Sequence, residues 1–300
     1  MDNLISIFGK SLKGLEKSPV LFIMGTALGI LSIPALAGFG QFDDNVKTIA
    51  YYYTEILLPV LILPLFTGGA LGCAVEARSK GSAGMSTFIS SAIKNYPKLF
   101  VAGLIAFIIF WITDLALTPF GGSVIDPVAD SLISTLIVVL TFFVLMAIEL
   151  YDIGIVADGL GVLASFRNSA DFVRRNMASV VSFFIVILIL KGVVQMEVPM
   201  SFGMVGSVMS NSTYYAALTN PNSSLNYTAV MGMMSTATLS LPVLLVAGIF
   251  QAVIQGLIFA FLALFKTEFY LTVKDGKNVT DLDYQFPGPG QNNQFPKIKI

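Results

Sequence analysis

The sequence predicts an all-α, polytopic transmembrane helix bundle of six spans, built from three repeats of an interfacial helix plus a helical hairpin. Three observations carry this expectation: six long apolar stretches, a lopsided distribution of Lys and Arg, and one local pattern that recurs three times. Composition sets the frame. Of 300 residues, 55% are hydrophobic and 12% charged, against roughly 25% charged in a soluble domain. So few charges cannot clothe a particle in water, and the deficit is resolved if lipid covers much of the exterior. A net charge of −1 gives no reason to expect nucleic acid. The chain has no histidine, which removes the commonest general base and every histidine-ligated metal site. Its single cysteine, Cys73, excludes an intramolecular disulfide.

A helix needs about 20 mostly apolar residues to cross roughly 30 Å of hydrocarbon. The stretches that meet or approach this are Pro19–Phe39, Glu55–Val75, Leu99–Leu117, Leu132–Leu150, Ala178–Val194 and Leu239–Phe265. The fifth is short and is expected to extend beyond these bounds. The sixth is long and should tilt or protrude. Pro19 suits a first turn. Pro34, Pro59 and Pro64 fall inside the expected spans and should kink them. Gly68, Gly69 and Gly72 would admit a close helix contact.

Orientation follows from the basic residues. Lys10, Lys13 and Lys17 precede the first span; Arg78, Lys80, Lys94 and Lys98 lie in the second connection; Arg167, Arg174 and Arg175 in the fourth; Lys266, Lys274, Lys277, Lys297 and Lys299 at the end. These are 15 of the 17 basic residues, with only Lys47 and Lys191 on the other side. The positive-inside rule then places both termini in the cytoplasm of a cell-membrane protein. A competing reading takes Lys10–Lys17 and the apolar run to Ala35-Leu36-Ala37 as a cleavable signal peptide. The repeat argues against it.

Phe8-Gly-Lys-Ser11-Leu12, Phe88-Ile-Ser-Ser91-Ala92 and Phe166-Arg-Asn-Ser169-Ala170 recur at intervals of 80 and 78 residues. Each lies in a short amphipathic stretch that runs into Pro19, Pro97 or Asn176 and then a span. The units are about 1–79, 80–157 and 158–274, forming one transmembrane domain over 1–274, with a disordered cytoplasmic tail over 275–300. In the first unit Leu4, Ile5, Phe8, Leu12 and Leu15 share a helical face, mostly away from Lys10, Lys13 and Lys17. That face lies either in lipid, with the lysines near anionic headgroups, or against the bundle.

The largest external segment, about 196–236, holds sequons at Asn211, Asn222 and Asn226 and seven of the 12 methionines. Met196, Met200 and Met204 are spaced to stack on one helix face, a soft-ligand arrangement suited to Cu(I). The plainer reading is apolar gap-filling, and no cofactor is expected. The tail repeats Gln285-Phe-Pro287 at Gln294-Phe-Pro296 and could dock a soluble protein. Membrane lipids are the other expected partner.

Catalytic patterns are lacking: no metalloprotease helix, no Gly-x-Ser-x-Gly elbow and no phosphate-binding loop. Asp158-Gly159 opens like a lipid-headgroup transferase motif but lacks its later residues. Asp126 and Asp130, four apart, read as solvated loop carboxylates. No enzyme activity is therefore expected. Ionisable groups inside a membrane are the default functional hint. Glu55, Glu149 and Asp152 read as span-end acids. Asp114 in the third span and Lys191 in the fifth occupy near-equivalent positions and could pair. Gln251 and Gln255 share a face of the sixth span, as interhelical glue or as the lining of a polar path.

The run from Tyr151 to Asn176, Tyr-Asp-Ile-Gly-Ile-Val-Ala-Asp-Gly-Leu-Gly-Val-Leu-Ala-Ser-Phe-Arg-Asn-Ser-Ala-Asp-Phe-Val-Arg-Arg-Asn, resembles uncharacterised archaeal multi-pass membrane proteins. These are similar to the membrane domain attached to some glycerophosphodiester phosphodiesterases, whose catalytic domain has no counterpart here. The resemblance covers about residues 145–195 and, more weakly, 65–115. It implies a fold and no functional residue. The function expected from the sequence is non-catalytic: organising or sensing the membrane, or anchoring partners. The alternative is a transporter or permease subunit with a polar path near Gln251 and Gln255.

Overall fold

The computed structural model describes residues 2–34, 42–117, 127–192 and 241–275, and these are α-helical almost throughout. The sequons, the methionine-rich segment, Asp126 and the Gln-Phe-Pro tail lie outside the described residues, as does the side chain of Asp130. Four helices are long and apolar enough to cross a membrane: Asp44–Lys80, Met85–Ile112, Val139–Asp158 and Leu245–Lys274. Two further helix pairs qualify only when each is taken together across a sharp bend.

The first bent pair is α1 (Asp2–Lys17) and α2 (Pro19–Leu31), meeting at 88°. Ser18 makes the corner with φ −130° and ψ 65°. A residue before proline is pushed out of the helical region by the proline ring, so the break falls where the sequence dictates it. α1 then divides its faces. Ile7 and Ser11 are buried, and Phe8 packs on Phe261 with ring centroids 4.7 Å apart, whereas Ile5 and Leu12 stay exposed. Part of the amphipathic face is therefore packed against the bundle. α2 ends at Leu31, so Pro34 lies beyond the helix and does not kink it.

The second apolar stretch is continuous: α3 (Asp44–Tyr52), a π-helical segment (Tyr53–Ile62) and α4 (Leu63–Lys80). Asp43 caps it, accepting from Val46 N at 2.8 Å. Pro59 cannot donate within a helix, and the wider π winding accommodates it. α4 stops at Gly81, whose φ of 85° is a left-handed cap. α5 (Met85–Leu117) is one unbroken helix of 33 residues, about 50 Å long. Here the expectation of a separate in-plane helix fails, because Pro97 is absorbed into the helix interior.

α6 (Pro127–Ile148) and α7 (Tyr151–Asp158) are joined by a turn at Glu149-Leu150. α8 (Val162–Arg175) and α9 (Met177–Gly192) form the second bent pair, at 110°. Asn176 breaks the helix with φ −125° and donates from its side chain to Phe172 O. α10 (Leu241–Lys274) closes the bundle.

Packing uses two devices. Small residues let helices approach closely. A Cβ on Gly25 would lie 2.5 Å from Gly256 O, and one on Gly29 2.5 Å from Ala252 O, so α2 and α10 meet backbone to backbone. The expected contact at Gly68, Gly69 and Gly72 forms too, against Leu99, Phe88 and Ser91 of α5. Aromatic rings fill the core in a ladder: Phe183 stacks on Phe269 at 4.1 Å and on Phe265 at 5.2 Å, and Phe172 stacks on Tyr270 at 5.0 Å.

The basic ends of α4 and α10 pair with acids of α10 and α7, and Lys98 in the first half of α5 reaches the cap of α7. Arg78 pairs with Glu268 at 3.1 Å, Lys274 with Asp158 at 2.6 Å, and Lys98 donates to Gly159 O and Leu160 O at 3.0 and 3.2 Å. Tyr270 donates to Asp158 at 2.6 Å and accepts from Asn168 at 2.8 Å, tying α10 to α7 and α8. Tyr270→Phe removes both bonds while keeping the stack. Urea or thermal unfolding in detergent should show a loss of about 1–3 kcal/mol; no loss would mean the hydroxyl is well solvated.

Candidate functional site

The α6–α7 turn positions the site. Ser169 Oγ of α8 donates to Ala147 O at 2.6 Å and accepts from Leu150 N at 3.3 Å. One hydroxyl thus satisfies two backbone groups freed by the break. This aims Glu149 and, one residue past Tyr151, Asp152 toward α10. Asp152 sits in the first turn of α7, where the helix dipole favours negative charge, and its Oδ1 accepts from Ile153 N at 2.8 Å.

Lys266 of α10 lies between the two acids, 2.9 Å from Asp152 Oδ2 and 3.1 Å from Glu149 Oε1. Lys191 of α9 reaches the same Glu149 oxygen at 3.3 Å. The side chains of Lys266 and Asp152 are 12% and 11% exposed and Glu149 18%, whereas Lys191 is 48% exposed. Two cations and two anions make the cluster neutral. Charges this buried are tolerable only because each has a partner at contact distance.

The cluster forms one wall of a cavity of about 490 Å³, within the range of sites that enclose small molecules. The other walls are mainly apolar, with Leu63, Leu71, Phe107, Leu145, Ile187 and Phe259 among them. The lining comes from the π segment, α4, α5, α6, α7, α9 and α10. Tyr151 also faces it, its ring stacked on Phe166 at 4.8 Å. Lys266 stands about 12 Å along α10 from Lys274 at the basic end, and Lys191 about 21 Å along α9 from Met177. Lys266 thus falls well inside α10, whereas Lys191 stands next to the end of α9, opposite the corner at Asn176.

Glu149 and Asp152, read from the sequence as span-end acids, lie at and just after the turn that ends α6, within the apolar helical stretch Val139–Asp158. Lys266 lies in the interior of α10, which continues to Lys274. The signal was present: Ile153, Ile155, Val156 and Ala157 continue the apolar run past Leu150, with Glu149 and Asp152 spaced three apart on one face. Of the residues singled out from sequence, Lys191 joins the cluster through Glu149. The side chain of its expected partner, Asp114, lies outside the described residues. Gln255 Oε1 accepts from Ser32 Oγ at 2.5 Å, linking α10 to α2, and Gln251 Oε1 is buried with no hydrogen-bond partner among the described residues. Neither glutamine lines the cavity. Among the described residues no group of acids and cysteine is arranged to hold a metal ion.

A family model described as a domain of unknown function, DUF7847, matches residues 3–273. The chain belongs to the DUF7847 family. The DUF7847 match runs from α1 almost to the end of α10, so both bent pairs, the cavity and its four charged residues lie within it. No curated protein and no solved structure matches the chain.

Proposed function

We propose that this DUF7847 protein is a six-span membrane protein of transporter or permease type, with a solute site in the central cavity. The observation that carries the reading is the neutral Lys191–Glu149–Lys266–Asp152 cluster on the wall of that cavity, among helices apolar enough to cross a membrane. Buried ionisable groups are costly and in membrane proteins mark solute or ion pathways. The six spans count α2 and α9 as the crossing arms of the two bent pairs, with α1 and α8 in the plane of the interface.

The same reading treats the bundle as three repeats. Ser91 donates to Gly68 O at 2.8 Å and Ser169 to Ala147 O at 2.6 Å, each reaching the span that precedes it. The equivalent Ser11 instead bonds Ile7 O of its own helix, and α1 packs on α10, the last span. The cavity then lies where helices from all three units meet. The clustered basic ends face the cytoplasm, with both termini, in the cell membrane.

Ala106 lines the cavity and provides the test. In a Cys73→Ala background, Ala106→Cys should react with a small charged thiol reagent, and adding Gly103→Phe should block the reaction by filling the space. No reaction would mean a dry bundle and would defeat the transport reading. Topology is checked in the same background. Asn45→Cys, Ser123→Cys and Tyr215→Cys should label from outside, and Lys13→Cys, Lys80→Cys and Gln285→Cys only after permeabilisation. External labelling at position 80 would overturn the orientation.

A second reading, membrane organisation without transport, is favoured by one observation. Ile5, Met85 and Leu163 each stand three residues before the recurring phenylalanine and are 72%, 43% and 78% exposed. Apolar side chains at that position, beside basic residues, suit the headgroup boundary of a bilayer.

A further inference from the structure

We infer that the cavity accepts an anionic amphiphile, its head on Lys191 and its hydrocarbon body against the apolar wall. This inference rests on the solute-site reading and adds the class of ligand.

The connectivity of the charge cluster carries the argument. Lys266 touches both acids, whereas Lys191 touches Glu149 alone. Suppose a cationic ligand enters and takes Glu149. Lys191 then loses the one carboxylate within ion-pair reach among the described side chains. Suppose instead an anionic ligand takes Lys191. Glu149 keeps Lys266, Asp152 keeps Lys266, and no charge is stranded. The exchange leaves each of the four groups with an opposite charge in reach, which avoids the cost of an uncompensated charge. Exposure agrees with this order. Lys191 is the most accessible of the four groups at 48%, and Lys266 and Asp152 are the least. The ammonium group also suits an anionic head, since it carries three donors and Glu149 engages it through a single oxygen.

The rest of the lining selects the body of the ligand. Leu63, Leu145, Phe107 and Phe259 offer no hydrogen bonds, so a small inorganic anion would leave most of the space unfilled. An alkyl chain fills it and is driven in by removal of apolar surface from water. Carboxylate and phosphate heads share the required charge, and the probes below separate them.

The full-length protein in nanodiscs of zwitterionic lipid can be titrated with dodecanoate, dodecyl phosphate, dodecanol, dodecyltrimethylammonium and inorganic phosphate. Binding is read by thermal stabilisation and by native mass spectrometry. One or both anionic amphiphiles should bind saturably, and Lys191→Gln should weaken them at least about tenfold. Lys191→Arg should retain binding, which separates loss of charge from misfolding, and Lys80→Gln, far along α4, should change nothing. Tighter binding of dodecanoate than of dodecyl phosphate assigns a carboxylate head, and the reverse assigns a phosphate. If dodecanol or the ammonium amphiphile binds as tightly as the anions, and Gly103→Phe abolishes that binding, the anionic inference is overturned while the solute-site reading stands. Inorganic phosphate binding as well as dodecyl phosphate would overturn the role of the apolar wall. Saturable binding by none of the probes overturns the inference. If Ala106→Cys is also inert to the charged thiol reagent, the solute-site reading falls with it.

Discussion

Replacing Lys266 by Met should destabilise the detergent-solubilised protein by about 3–5 kcal/mol, the usual cost of stranding a buried charge. The burden falls on Asp152, whose side chain is 11% exposed and whose ion-pair partner is Lys266. Glu149 still has Lys191 at 3.3 Å and suffers less. Adding Asp152→Asn to Lys266→Met restores neutrality and should recover most of the loss. The single Asp152→Asn should cost less than Lys266→Met, because Lys266 keeps Glu149 at 3.1 Å. The measurement is unfolding free energy for the two single variants and the double. Additive losses in the double variant would show that the residues do not act as a pair.

Gly25→Leu and Gly29→Leu should each prevent α2 from seating on α10. The obstacle is backbone: the first side-chain carbon would meet Gly256 O or Ala252 O at 2.5 Å, and a carbonyl inside a helix cannot rotate away. The helices must separate along their length, which also pulls Ser32 from Gln255. A loss above about 3 kcal/mol is expected, beyond ordinary overpacking. The control is Gly9→Ala on α1. Nothing lies within 4 Å of the new carbon there, so the change should be neutral or stabilise by up to about 1 kcal/mol. Thermal unfolding of the three variants decides it, and a Gly25→Leu protein as stable as the parent would mean the two helices are not in close contact.

Much of the helix plan was legible in the residues. Apolar length announced the long helices that are apolar enough to cross a membrane, because a helix crossing hydrocarbon must satisfy its own backbone and show lipid an apolar surface. Pro19 and Asn176 marked the two corners, since proline restricts the residue before it and asparagine can bond a carbonyl just behind it. Pro97 looked the same on paper but sits inside a continuous α5. Local preference there yields to a helix whose flanks pack on both sides of the proline, with Ala92 and Asn95 before it and Leu99 and Ala102 after it all buried. The Gly68–Gly72 contact could be anticipated. Gly25 and Gly29 could not be assigned a partner, because nothing local says that Gly256 and Ala252 will face them.

The sequence by itself determined that the described residues are helical and that the chain turns a corner before Pro19 and at Asn176. Each of these depends on neighbours within a turn or two, or on the sum of side chains meeting lipid. Only the tertiary structure decided that Glu149, Asp152, Lys191 and Lys266 form one neutral cluster beside a cavity. Their pairing joins residues as far apart as Asp152 and Lys266, which approach to 2.9 Å. The energy that sets it, the mutual attraction of charges removed from water, depends on distances that exist only once the helices are packed.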